Sequence, residues 1–233
     1  EIFMSEIPLM TPHGTFIISG IERVVVPQLS RSFGVFFTSQ SIRGKQLFGA
    51  KVIPSRGAWI EFETDIEGVL YVRIDKKRKF PVSVLLRALG TKTDKDIYEL
   101  LKKNDFSKAH LDKTIAKDHA KTQDEAFIEI HKRLRDGDLA TAENAKEFFN
   151  SIFGTDRYDL HKVGRFRFNN RFGKSMSDKE IERRTLNLDD IATIVDYVIT
   201  LNNTPDAKDD DIDHLGNRRV RYVGEMFQQK IRV

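Results

Sequence analysis

The sequence predicts an α+β fold, with antiparallel strands and helices grouped separately along the chain. Three observations predict it. Residues 1–79 carry short β-branched and aromatic runs punctuated by Gly, Pro and charged turns. From Phe80 the apolar residues recur at helical rather than alternating spacing, in several segments that end with Leu188–Leu201. Beyond Asn202 the chain turns polar and carries a dense acidic and basic motif. Strands followed by helices in this way read as α+β.

Ile2-Phe3-Met4 and Ile7-Pro8-Leu9-Met10 read as strand. They lead into Thr11-Pro12-His13-Gly14, a turn with Pro second and Gly fourth. Thr15–Ile18 is a second strand, closed by Gly20. Val24-Val25-Val26 is a third, β-branched and expected to be buried, and Pro27 ends its ladder or sets it at an edge. These strands have no closing partner in sequence, so the sheet they begin is incomplete. Val35-Phe36-Phe37, Phe48–Pro54, Ala58–Glu63 and Val69–Ile74 continue the strands. Ala58–Glu63 alternates cleanly, with Trp59, Glu61 and Glu63 on one face and Ile60 and Phe62 on the other.

The helices begin at Pro81, which suits a first turn. Val84, Leu85, Leu86 and Leu89 form its stripe and Gly90 stops it. Asp94–Lys103 is a second helix, while 104–121 is polar and ambiguous. Thr122 and Glu125 form a capping box for a helix that runs to Leu134. Asp136-Gly137-Asp138 reads as a turn, and Thr141 caps a helix through Ile152. Residues 154–174 read as a loop, Ser177 and Glu180 as a capped turn, and Leu188–Leu201 as the strongest helix.

Composition narrows the function classes. The chain is 39% hydrophobic and 32% charged, a globular balance, and no apolar run approaches the roughly 20 residues of a membrane span. The absence of cysteine excludes disulfide scaffolds, thiol nucleophiles and zinc ribbons. No signal peptide or initiator Met opens the sequence, and both ends read as cuts through structure, so an excerpt of a longer cytoplasmic polypeptide is expected. Net charge is only +4, but basic residues cluster at Lys76-Lys77-Arg78-Lys79, at Arg165, Arg167 and Arg171, and at Arg218, Arg219 and Arg221. Such clusters suit a polyanion, and they are also compatible with solvated faces.

The densest motif is Asp209-Asp210-Asp211-Ile212-Asp213-His214-Leu215-Gly216-Asn217-Arg218-Arg219-Val220-Arg221. So many charges cannot form a plain core segment. They form either a solvated, self-neutralising loop or a polar corner that offers carboxylate acceptors beside guanidinium donors to a nucleobase and its phosphate. Metal binding by the acidic residues with His214 would require a special bend to converge them. Trp59, beside Arg56 and Gly57, is either a stacking platform for a base or a half-buried anchor over a loop. The interleaved Arg and Phe of 154–174 are a nucleic-acid cue, or core anchors with arginines reaching outward. No Gly-rich phosphate loop and no nucleophile elbow occur. These features describe a non-enzymatic module that contacts a polyanion.

Longer stretches carry a resemblance. Glu1-Ile2-Phe3-Met4-Ser5-Glu6-Ile7-Pro8-Leu9-Met10, Gly14-Thr15-Phe16-Ile17, Glu22-Arg23-Val24-Val25-Val26, Gln28-Leu29 and Arg31-Ser32 closely resemble the β subunit of bacterial RNA polymerase. So do Arg73-Ile74-Asp75-Lys76-Lys77-Arg78-Lys79, Asp156-Arg157-Tyr158-Asp159-Leu160, Val163-Gly164-Arg165 and Asp210 through Arg219. The motifs keep the family's order and span nearly the whole chain.

This resemblance implies that 1–30 and 206–233 are two pieces of a β-rich protrusion domain and that 31–205 is a lobe domain of antiparallel strands and helices inserted between them. It implies a wall of the downstream DNA cleft that contacts the non-template strand. By motif, Trp59 would stack on an unpaired base. Asp213 would accept hydrogen bonds from a flipped guanine, with Ile212, Arg218 and Arg31 completing that pocket. Arg23, Val26 and Gln28 would edge the rifamycin pocket. The implied partners are DNA and the β′, α and sigma subunits, with no membrane, and the fragment alone would be monomeric. Catalytic magnesium would be held by another subunit, leaving no cofactor and no polymerising activity in this chain. The chain departs from the family at Phe33 and Pro27, both near Arg31, and at the Asp136–Ala140 turn. A docking module for sigma or elongation factors is the alternative. A metal-dependent nuclease is a third reading, and it would require clustered carboxylates.

Overall fold

The computed structural model describes residues 6, 8–101, 105–135 and 140–231. The chain divides into two compact units, Phe33–Asp210 and the pair of segments Glu1–Ser32 and Asp211–Val233.

The larger unit holds a five-stranded antiparallel sheet in sequence order, made of β4 (Gly34–Ile42), β5 (Lys45–Ile53), β6 (Ile60–Thr64), β7 (Leu70–Ile74) and β8 (Phe80–Pro81). β4 and β5 join through Arg43 and Gly44, both at positive φ (52° and 77°), the two-residue turn whose twist matches the strands. In β6 and β7 the alternation Ile60, Phe62 and Val72, Ile74 is buried, while Glu61, Glu63, Tyr71 and Arg73 are only half-buried. In these two strands one face is therefore core and the other polar, as the period-two pattern requires, whereas in β4 and β5 consecutive residues such as Phe36 and Phe37 are buried on both faces. At Gly49 an added Cβ would lie 2.2 Å from the Phe62 carbonyl oxygen, so β5 and β6 close there only because the side chain is missing.

Helices cover the apolar face. Every residue of α1 (Val82–Ala88) is buried, its apolar residues in the core and Arg87 neutralised by Asp118 and Asp94. α4 (Gln123–Leu134) and α5 (Ala142–Phe153) bear Phe127 and Phe149, whose rings meet 5.3 Å apart in the core. The Thr122–Glu125 capping box forms as expected, and Thr141 caps α5 through the Asn144 N–H. α8 (Leu188–Asn203) is capped by Asn187. Its last turn is bolted to β5 by Asn202, which accepts the Phe48 N–H at 3.0 Å and donates to the Phe48 carbonyl. α2 (Asp94–Leu100), α3 (Ser107–Ala116), α6 (His161–Arg171) and α7 (Asp178–Glu182) complete the unit.

Two expectations fail here. The ambiguous 104–121 stretch contains α3, and the expected loop 154–174 contains α6. In α6 the helical spacing is hidden because one buried position is Arg165 and another is Asn169, both 0% exposed. The Asp136-Gly137-Asp138 turn lies outside the described residues.

In the smaller unit β1 (Phe16–Ile18) pairs with β2 (Ile21–Arg23) through Ser19 and Gly20, again both at positive φ. The Thr11–Gly14 turn forms, with the Gly14 N–H on the Thr11 carbonyl at 3.0 Å. The expected buried strand Val24–Val26 does not form. These residues are 63%, 40% and 68% exposed and carry no strand. A β-branched run is buried only when another surface covers it, and no described residue does so. β3 (Gln28–Arg31) pairs antiparallel with β9 (Arg218–Arg221), and α9 (Val223–Ile231) follows. The expected strand Ile2–Met4 lies outside the described residues.

Candidate nucleic-acid interface

The acidic run divides its labour. Asp209 accepts the Ser39 hydroxyl at 2.9 Å. Asp210 takes the Phe37 N–H at 2.7 Å and the Arg171 guanidinium at 2.8 Å, while its own N–H donates to the Phe37 carbonyl. Both residues therefore fasten the chain to β4. In the smaller unit Asp211 accepts the Asp213 and His214 N–H groups at 3.0 and 3.1 Å, a side-chain turn that needs an Asp or Asn at this place. His214 accepts the Gly216 N–H, and Asn217 donates to the Asp211 carbonyl. The carboxylates diverge to separate tasks, and among the described residues no three His, Asp or Glu side chains converge as a metal site.

One carboxylate of the run remains. Asp213 is exposed on the turn that Asp211 holds, and its side chain meets no described partner. Ile212 beside it is half-buried.

The arginines divide in the same way. Alternation along β9 separates Arg219 and Arg221 from Arg218 and Val220. Arg219 pairs with Glu225 of α9 at 2.6 Å, and Arg221 donates to Gln229. Arg218 stands directly opposite Arg31 of β3, and neither guanidinium has a described partner. The pairing continues past them, with the Ser32 N–H on the Asn217 carbonyl at 2.9 Å, so this end of the ribbon runs straight into the Asp213 turn. Two like charges placed opposite on a ladder are destabilising unless an anion joins them.

Trp59 belongs to the larger unit, where it is half-buried at the start of β6. Its loop is fixed at both ends. The Ser55 and Arg56 N–H groups donate to the Asp159 carbonyl, the Asp159 N–H returns to Arg56, and the Trp59 carbonyl takes the Asp75 N–H at 2.8 Å. Gly57, at φ +110°, lies so close to Tyr158 that an added Cβ would come within 2.9 Å of the ring. Lys76 places its ammonium 5.8 Å from the Trp59 ring centroid.

The Arg and Phe cluster of 154–174 is a correction. Arg165 is fully buried, donating to Asp190 at 2.9 Å and to the Arg183 and Thr185 carbonyls at 2.7 and 2.6 Å. Arg171 lies 4.5 Å over the Phe37 ring and Arg167 5.2 Å over Phe36. These cations serve packing. By contrast, Lys76-Lys77-Arg78-Lys79 is an exposed turn. Arg23 ends β2, Val26 is exposed, and Gln28 opens β3 opposite Arg221. Spacing gave no sign of a basic depression of about 440 Å³ in the larger unit. It is lined by His131, Arg135, Glu147, Phe148 and Arg157, and the buried His131 Nδ1 has no hydrogen-bond partner among the described residues.

Residues 35–221 match the family model described as RNA polymerase Rpb2, domain 2. The whole chain is 44% identical over 236 residues to the DNA-directed RNA polymerase subunit beta of Synechococcus elongatus. It is 44% identical over 234 residues to that of Syntrophomonas wolfei, and 46% identical over 240 residues to that of Dehalococcoides mccartyi. In each case all of this chain is covered, but it spans only about a fifth of the relative's length (21%, 20% and 19%). A domain model that covers most of the chain, together with relatives matched from end to end, assigns it: the chain belongs to the RNA polymerase Rpb2 domain 2 family and corresponds to a segment of the polymerase β subunit.

Proposed function

We propose that this segment forms part of the DNA-facing wall of a polymerase β subunit and contacts the non-template strand. The observation that carries this reading is the selective vacancy of three charged groups in one small unit. Of the acidic run and the basic strand beside it, Asp213, Arg218 and Arg31 are left without described partners, while Asp209, Asp210, Asp211, Arg219 and Arg221 are committed to the fold. A carboxylate accepts from the two edge donors of guanine, and two guanidinium groups suit the flanking phosphates. Ile212 supplies an apolar side. Trp59 in the larger unit stacks on another unpaired base, a sequence-tolerant contact worth about 1–3 kcal/mol.

In this reading nucleotidyl transfer belongs to the whole enzyme, and its magnesium is held by a partner subunit. The β′, α and sigma subunits are the protein partners, and Arg23, Val26 and Gln28 edge a drug pocket completed by other segments. The exposed Ile17, Ile18, Ile21 and Val24–Val26 favour a second role as a protein-docking surface for sigma or elongation factors.

The test is fluorescence anisotropy with single-stranded oligonucleotides at low salt, with and without a central guanine. Asp213→Ala should remove the guanine preference and leave binding to guanine-free probes intact. Trp59→Ala should weaken all probes. Variants that match wild type on every probe would sink the DNA reading and leave the docking role.

A further inference from the structure

The turn after β7 carries a cost that the stacking role does not explain. Asp75 and Lys76 both adopt left-handed backbone, at φ 51° and 58°, and the Lys77 N–H closes the turn on the Ile74 carbonyl at 3.1 Å. A turn with two such residues ordinarily takes Asn-Gly or Asp-Gly. Lys in place of Gly is strained, and strain of this kind persists where the side chain has a task. Among the described residues the Lys76 side chain is engaged through its ammonium over the ring of Trp59, in a turn otherwise exposed.

A cation over a half-buried ring such as Trp59 is worth about 0.5–2 kcal/mol, against about 1–3 kcal/mol for a stacked base. A base arriving on that face therefore displaces the ammonium, which is then left beside a nucleotide carrying a phosphate. We infer that Lys76 rests on Trp59 in the free protein and becomes a backbone-phosphate contact for the nucleotide whose base stacks there. Its ligand class is single-stranded nucleic acid. The inference rests on the stacking role proposed for Trp59. The ammonium keeps the ring face occupied until the base arrives, and the charge then serves the incoming strand.

Trp59 is the only tryptophan in the chain, so tryptophan emission, excited at the red edge where the five tyrosines do not absorb, reports this place alone. The experiment titrates oligo(dT) into wild type, Lys76→Gly and Lys76→Arg across a salt series, reading Trp59 quenching and anisotropy together. Lys76→Gly should raise Tm by about 2–4 °C by relieving the turn, so lost binding cannot be blamed on unfolding. It should also alter the emission of the free protein. The slope of log K against log salt should become shallower by about 0.7, the loss of one phosphate contact on a single strand. Lys76→Arg should keep the wild-type slope. If Trp59 is still quenched but Lys76→Gly keeps the wild-type slope, the phosphate role of Lys76 is wrong and stacking stands. If no oligonucleotide quenches Trp59, whether or not anisotropy registers binding, stacking fails and the inference fails with it.

Discussion

Arg31 and Arg218 are cross-strand partners on the β3–β9 ribbon, and neither meets a described carboxylate. Like charges directly opposite cost roughly 0.2–1 kcal/mol. The fold tolerates this while Arg219, one residue away, is neutralised by Glu225. Arg218→Ala should therefore stabilise the protein by a few tenths of a kcal/mol at low salt, and the gain should fade as salt screens the pair. The same substitution should weaken oligonucleotide binding. Urea titrations at two salt concentrations, run beside anisotropy, check both signs. Arg219→Ala should do the reverse, losing stability and sparing affinity.

Asp211 and Asp213 are two residues apart and have opposite duties. Asp211→Ala removes the acceptor for two backbone N–H groups, a loss comparable to a helix cap at about 1 kcal/mol. Asp213→Asn removes no described contact and should leave the urea midpoint unchanged, yet it replaces a double acceptor by a group that also donates. Guanine preference should fall in both variants, but only Asp211→Ala should shift the midpoint. Equal midpoints in the two variants would contradict this division of labour.

Local chemistry made much of the larger unit legible. The Thr122–Glu125 box and the alternation of β6 are set by neighbours three or two positions apart, and both form as expected. Where partners are distant, the sequence misleads. α6 was hidden because Arg165 reads as a surface residue until Asp190, twenty-five residues on, neutralises it. Gln28–Arg31 has no strand pattern because its partner strand begins at Arg218. Val24–Val26 reads as core, yet no described residue covers it. The division of the acidic run into structural and unpaired carboxylates is likewise invisible in spacing, since the partners of Asp209 and Asp210 lie on β4. The resemblance placed Arg31 and Arg218 in one pocket but gave no sign that they face each other on a ladder, because no periodicity links residues so far apart.

The Arg165–Asp190 pair is wholly buried, 0% exposed on both sides, and Asp190 also takes Lys174 and Arg183. Removing one partner of a buried pair leaves an uncompensated charge, worth about 3–5 kcal/mol. Asp190→Ala also deletes the second half of the Asn187 capping box. Denaturant unfolding should register a loss at the upper end of that range. Replacing Arg165 and Asp190 together by apolar residues should recover part of it, which a double-mutant cycle measures.

Acid should unfold the protein partly through Asp159. Burial alone would raise this carboxyl, but the Arg184 guanidinium and the His161 N–H hold it below its ordinary 3.8. Backbone N–H groups lower Asp96 and Glu125 in the same direction, in the Thr93–Asp96 capping box of α2 and the Thr122–Glu125 box of α4. A group depressed in the folded state contributes stability that is full above its unfolded pKa and is lost as pH falls through the folded one. Stability should therefore be flat from neutral pH to about 5 and fall below about 4. Arg184→Met should remove the part due to Asp159, lowering stability at neutral pH and making the acid decline shallower. An unchanged acid limb in Arg184→Met would exclude Asp159 as a contributor.

Gly57 tests whether the Trp59 loop must be rigid to be useful. At φ +110° only glycine sits without strain, and a Cβ there would also press on the buried Tyr158 ring. Gly57→Ala should cost about 1–3 kcal/mol if the loop keeps its path. The alternative is that the loop yields, breaking the Arg56–Asp159 bridge and moving Trp59. The two outcomes are separable because Trp59 alone supplies the tryptophan emission. A lowered Tm with unaltered emission and unaltered oligonucleotide quenching means the loop held. A red-shifted emission with weakened quenching on every probe means the ring lost its place, and it would show that the contact of Gly57 with Tyr158 sets the geometry of the stacking surface.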